Sequence, residues 1–143
     1  MKKLFILLPA LALSLFACNV AGDEDYKALA KDACDCVNKS TESLSPEMKK
    51  VITDSDGDEA KFQELMGTYA SENPMQAMQD AQAMQGTMLT EMTSCLDGLK
   101  TKYDDLYTND SETEVQNKLL EELKAMDDCK SSYVFMKMGM ANQ

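Results

Sequence analysis

Four cysteines limit what this chain can fold into more than any other feature. Cys34, Cys36, Cys95 and Cys129 each stand in a stretch whose apolar residues recur three or four apart, the spacing of an amphipathic helix. Residues two apart on a helix are rotated by about 200°, so Cys34 and Cys36 diverge and a bond between them is disfavoured. Tyr26, Val37 and Leu44 mark the centre of that helix's apolar stripe. Cys34 lies about 80° to one side of it and Cys36 about 80° to the other. Each sulfur can then reach a different neighbouring helix, one at Cys95 and one at Cys129. Both cross-pairings satisfy this geometry, and Cys34–Cys129 with Cys36–Cys95 is the working choice. Loops of roughly 60 and 95 residues would close, each bond contributing about 2–4 kcal/mol.

The same spacing organises the rest. Residues 24–44 read as a first helix. Ser45-Pro46-Glu47 is a helix start, with Ser as cap and Pro in the first turn, and a short helix runs to about Thr53. Residues 54–58 form an acidic turn. A helix over 59–72 turns Phe62, Leu65, Met66 and Tyr69 inward, and Asn73-Pro74 breaks it. From Met75 the pattern is long, with Met78, Ala81, Met84, Met88, Met92, Cys95, Leu99, Tyr103 and Leu106 inward. Gly86 and Gly98 each cost about 1 kcal/mol relative to Ala, so a bend is expected at one of them. After a turn at 108–111, a last helix over 112–138 buries Val115, Leu119, Leu123, Met126, Cys129, Tyr133 and Met136. Strand signals are nearly absent. The fold class expected is all-α, a disulfide-stapled bundle of about four main helices in one domain over residues 24–143.

Whether the cysteines are oxidised depends on compartment, and the N-terminus bears on that. Met1-Lys2-Lys3 is followed by an apolar run from Leu4 to Phe16. That is the length of a signal-peptide core and short of the about 20 apolar residues a membrane-spanning helix needs. Leu15-Phe16-Ala17-Cys18 resembles a lipobox, the recognition site of bacterial lipoprotein signal peptidase, although Phe16 stands where a small residue is usual. The resemblance covers only these eighteen residues. It implies a signal peptide over 1–17, cleavage before Cys18, diacylglycerol on its sulfur and acylation of the new amino group. It also implies a lipidated tether over 18–23. Several acyl chains hold a protein durably, at about 0.8 kcal/mol per buried methylene. The competing reading is ordinary secretion, with cleavage after Ala17 or Ala21, which would leave Cys18 as an odd thiol. Asn19 follows the cysteine in place of the aspartate that signals inner-membrane retention in well-studied Gram-negative lipoproteins, so the outer membrane is the expected location. Asp23-Glu24-Asp25 is either a surface-export patch or an acidic helix start.

Charge and composition exclude several functions. Without Lys2 and Lys3, twelve lysines face 25 acids, a formal charge of −13. Nucleic acid is excluded as a partner, because phosphate backbones need clustered positive charge. The membrane link rests on acylated Cys18. The chain has no His, Arg or Trp. The usual base near neutral pH is missing, and so is the bidentate clamp for phosphate or carboxylate. The reading is therefore non-enzymatic, with no cofactor.

Two metal readings compete with it. Asp54-Ser55-Asp56-Gly57-Asp58 resembles the first half of an EF-hand calcium loop, with oxygens at alternate positions. Glu59 stands where that loop needs Gly. Leu65 stands where it needs a bidentate Glu, and Glu64 is one residue early. The candidate ligands are Asp54, Asp56, Asp58 and Glu64. Soft thioethers select Cu(I); Met75 with Met78 and Met88 with Met92 lie on a helical face where Met is a common core gap-filler, and Met136, Met138 and Met140 at the C-terminus are free of that objection. A four-thiolate zinc site and redox chemistry at Cys34-Asp35-Cys36 are weaker, since the two thiols diverge and Asp35 opposes thiolate formation. The expected function is a membrane-anchored accessory or binding domain for a protein partner of unspecified identity.

Overall fold

A computed structural model describes residues 22–141. Cys18 and the apolar segment before it lie outside the described residues. Helix α1 (Asp23–Ser40) begins where the Asp25 carboxylate accepts the Gly22 N–H at 3.1 Å, with acids through the first turn, where the helix dipole favours them. Its buried face is Tyr26, Leu29, Ala30, Ala33, Cys34, Cys36 and Val37. The helix stops at Ser40, short of the expected Leu44. The Ser40 hydroxyl donates to the Cys36 carbonyl at 2.9 Å and that of Thr41 to the Val37 carbonyl at 2.8 Å. Such side-chain bonds compete with helix continuation, and the chain turns so that Leu44 enters a second cluster.

Helix α2 (Pro46–Ser55) is capped by Ser45, whose Oγ accepts from the Met48 N–H at 3.1 Å, with Pro46 in its first turn. It ends at Asp56 and Gly57, both left-handed with φ of 52° and 71°. A Cβ on Gly57 would stand 2.9 Å from the Lys137 Cβ, so this turn needs glycine for its φ and for the close approach of a later helix. Helix α3 (Glu59–Glu72) follows, and Asn73 and Pro74 open α4 (Pro74–Ala83). A π-helical turn over Met84–Met88 contains Gly86, whose ψ of −106° is not helical. The bend therefore falls at Gly86, while Gly98 lies within α5 (Leu89–Lys102). The expected long helix also breaks at Tyr103, giving α6 (Asp104–Asn109). Helix α7 (Glu112–Ala125) carries a capping box between Ser111 and Glu114, the reciprocal bond pair that satisfies two orphan amides. The expected last helix is split. Met126 is extended, a 3-10 turn spans Asp127–Cys129, and α8 (Lys130–Ala141) follows. Asp127 and Asp128 are poor helix formers in the interior but suit the N-terminal side of α8.

Helix α1 packs against α5, α7 and α8, while α2 packs against α3 and α8. One apolar cluster joins Tyr26, Leu29, Ala30, Ala33 and Cys34 to Leu106, Val115, Leu119, Leu123 and Cys129. The other joins Leu44, Met48, Val51 and Ile52 to Tyr69, Ala77, Met88 and Val134. Tyr133 touches both, so α8 makes them one body. No strand occurs among the described residues, and the fold is all-α with two disulfides.

Those bonds are Cys34–Cys129, with Cα atoms 5.2 Å apart, and Cys36–Cys95, at 5.9 Å. Two polar clusters add to the hold on α1. Asp32 accepts from Lys102 Nζ at 2.6 Å and from the Tyr103 hydroxyl at 2.7 Å. Asp110 accepts from Lys118 Nζ at 2.9 Å and from the Tyr26 hydroxyl. In each cluster the ammonium also lies over the tyrosine ring, 5.2 Å and 4.6 Å from its centre.

Candidate functional site

The acidic turn does not converge on one point. Asp54 belongs to the last turn of α2 and pairs with Lys50. Asp56 forms the left-handed cap, and its carbonyl accepts from Lys137 Nζ at 2.7 Å. Asp58 caps α3, accepting the Lys61 N–H at 2.8 Å. Glu64 is exposed on α3. Each acid serves its own local structure. Among the described residues no group of three or more Cys, Asp or Glu could hold a metal ion.

The C-terminal methionines are also separated. Residues 136–140 remain helical within α8, so Met136 packs on the first cluster and Met138 on the second.

Where the sequence expects an inward Met78, the structure turns another face of α4 to the core. Ala77 and Asp80 are buried, Met84 is partly so and Met88 fully. Met78 is 58% exposed and Met75 74%. Met84 and Met88 are inward as the spacing predicts, whereas Met78 is turned out and Ala77 and Asp80 take the buried side. Asp80 decides the phase. Its carboxylate accepts the Ser45 N–H at 2.9 Å, the Ser45 hydroxyl at 2.6 Å and the Tyr69 hydroxyl at 2.5 Å. Ser45 is the cap of α2, so α4 delivers an anion to the positive end of another helix. Burial would raise the Asp80 pKa, but the bonds from Ser45 and Tyr69 outweigh it and hold the carboxyl below its usual range. Burial pushes the Tyr69 hydroxyl up, and the bond to Asp80 adds to it. The sequence signal for this network is an acid at 80 between Ala77 and Ala81 on an otherwise uncharged segment.

This anchoring leaves a distinctive outer surface. From Asn73 to Thr90 the single charged residue is Asp80, which is 1% exposed. The exposed side of α4 and the kink is thus built from Met and Gln, on a chain where 27% of residues are charged. Met75, Met78 and Leu89 are its large exposed apolar side chains. Beside the kink runs a groove along the C-terminal end of α1. One part, about 470 Å³, lies between Lys39, Ser40, Glu42 and Ser43 on one side and Ala83, Met88 and Glu91 on the other. A second part, about 400 Å³, continues past Thr90 and Ser94 to Cys36 and Cys95. The α4 surface is the candidate binding site, and its arrangement suits association through apolar contact and amide hydrogen bonds.

Protein-family models, curated proteins and solved structures were compared with the chain, and none matches.

Proposed function

We propose that the chain is a lipid-anchored envelope protein whose helical domain binds a protein partner through the Met/Gln surface of α4, and that it is not an enzyme. The observation that carries this reading is the exposure of Met75, Met78 and Leu89 on a segment whose one charge is buried. Flexible, polarisable methionines suit a surface that must accommodate another protein, and apolar side chains grouped without charge mark interaction sites more often than scattered ones do. The position of the surface supports the anchoring half of the proposal. Cys18 precedes α1 by a few residues, and α4 is joined to the other end of α1 through Ser45 and Asp80. A helix of 18 residues is about 27 Å long. The surface therefore stands off from the end that carries the acylated cysteine. No helix among the described residues is long and apolar enough to cross a membrane.

The test is cross-linking in intact cells with the wild-type chain and with a Met75→Glu, Met78→Glu variant. A partner captured by the wild type and lost from the variant, with unchanged circular dichroism, supports the reading. Equal capture by both assigns binding to another surface. Mass spectrometry of the purified protein tests the anchor, with acyl mass on Cys18 expected and a free Cys18 thiol contradicting it.

A further inference from the structure

We infer that Cys36–Cys95 is an exchangeable disulfide, open to a dithiol of another protein, while Cys34–Cys129 is structural, and that reduction of the first loosens the N-terminal part of α5 from α1. The two bonds differ in surroundings. Cys34 and Cys129 are 4% and 1% exposed within the first apolar cluster, among Ala33, Leu119 and Leu123. Cys36 is 5% exposed, much like Cys34, but its partner Cys95 is only partly buried, and both residues line the groove between α1 and α5. Thiol–disulfide exchange requires a thiolate to reach a sulfur, and the groove gives that access to this bond.

The element it holds is also weakly buried. No residue of α5 is fully buried. Its C-terminal end is held by Lys102 and Tyr103 on Asp32, and Leu96 and Leu99 rest against the first cluster. The stretch from Leu89 to Cys95 has neither of these attachments, and it starts at the Gly86 kink. The disulfide is the covalent bond that joins this stretch to α1.

The reaction balances as an ordinary exchange. A thiolate of the dithiol attacks Cys95 Sγ, the more accessible sulfur. The Sγ–Sγ bond breaks and Cys36 leaves as a thiolate on the α1 side of the groove, which also carries Lys39. The second thiol of the dithiol, as its thiolate, attacks its own sulfur in the mixed disulfide, and Cys95 leaves as a thiolate. Both protein thiolates take up the protons that the two dithiol groups gave up. The protein disulfide gains two electrons and the dithiol becomes a disulfide.

The oxidised full chain is treated with dithiothreitol under native conditions, quenched at intervals with an alkylating reagent and mapped by mass spectrometry. Access differs enough that Cys36 and Cys95 should be alkylated about tenfold or more faster than Cys34 and Cys129. In urea the two rates should converge. Equal native rates, or earlier labelling of Cys34 and Cys129, overturns the proposal. Hydrogen exchange on the partly reduced protein checks the consequence. Amides of residues 89–95 should exchange faster while those of α7 keep their protection, and unchanged exchange at 89–95 contradicts the release of that stretch.

Discussion

Asp80 is buried, and neutral donors on Ser45 and Tyr69 satisfy its carboxylate. Deleting an acceptor of this kind leaves buried donors unpaired. Asp80→Ala should therefore lower unfolding free energy by about 3 kcal/mol in urea titration. The pH dependence has a definite sign. The folded carboxyl is held below its ordinary value. Its contribution is then complete above the unfolded carboxylate's range, about pH 4, and is lost as pH falls through the folded value. The stability gap between wild type and Asp80→Asn should narrow on acidification, and a gap constant from pH 7 to acid would contradict the assignment. Asp32 is a useful contrast. Lys102 beside it, helped by Tyr103, holds its pKa below the usual range, but the Lys102 side chain is 62% exposed. Solvent screens such a pair, so Asp32→Asn should cost no more than about 1 kcal/mol. At this scale the sequence was informative about cysteines and caps, because Cys34, Cys36 and Ser45 act through local helical geometry. It was silent on Asp80, whose partners Ser45 and Tyr69 come from other helical elements, brought to it only by the tertiary fold.

The elements divide along the same line. Helices around Asp23–Ser40, Pro46–Ser55, Glu59–Glu72 and Glu112–Ala125 were legible because each has an apolar stripe, and three of the four also have a capping serine or aspartate. The bend at Gly86 was legible as a choice between two glycines. The breaks at Tyr103 and Met126 were not, because helical spacing of apolar residues continues across both and tertiary packing overrides it. Within α4 the expected inward Met78 faces out because Asp80 takes the buried side. One element-scale prediction follows from the turn between α2 and α3. Gly57 has a φ of 71° and its place for a Cβ is occupied by Lys137. Gly57→Ala should destabilise by about 1–3 kcal/mol, combining left-handed strain with the clash. Lys137→Ala removes the atoms beyond Cβ that crowd Gly57 and should recover part of that loss in the double variant. Full additivity of the two substitutions would show that the contact is unimportant.

For the whole molecule, α1 is the organising element. It meets α5, α7 and α8, both disulfides start on it, and the chain leaves it to build the second cluster. Its Cys34–Cys129 bond spans 95 residues and its Cys36–Cys95 bond 59, so both restrict the unfolded chain strongly, by about 2–4 kcal/mol each. Replacing Cys34 and Cys129 with Ser also places two hydroxyls in an apolar cluster, whereas of Cys36 and Cys95 the latter is only partly buried and lines the groove, so the cost there is smaller. Thermal melts should rank the wild type first, the Cys36, Cys95 pair of changes second and the Cys34, Cys129 pair last. The proposed binding surface on α4 depends on this frame, since Asp80 on α4 is held by Ser45 just beyond α1. The pairing of the sulfurs is therefore the measurement that tests the account most directly. A protease that cuts before aspartate separates Cys34 from Cys36 at Asp35, so peptide mapping without reductant reads the connectivity. The account predicts one peptide pair joined through Cys34 and Cys129, another through Cys36 and Cys95, and no free thiol among the four. Peptides joining Cys34 to Cys95 or Cys36 to Cys129, or a free thiol at any of these positions, would contradict it.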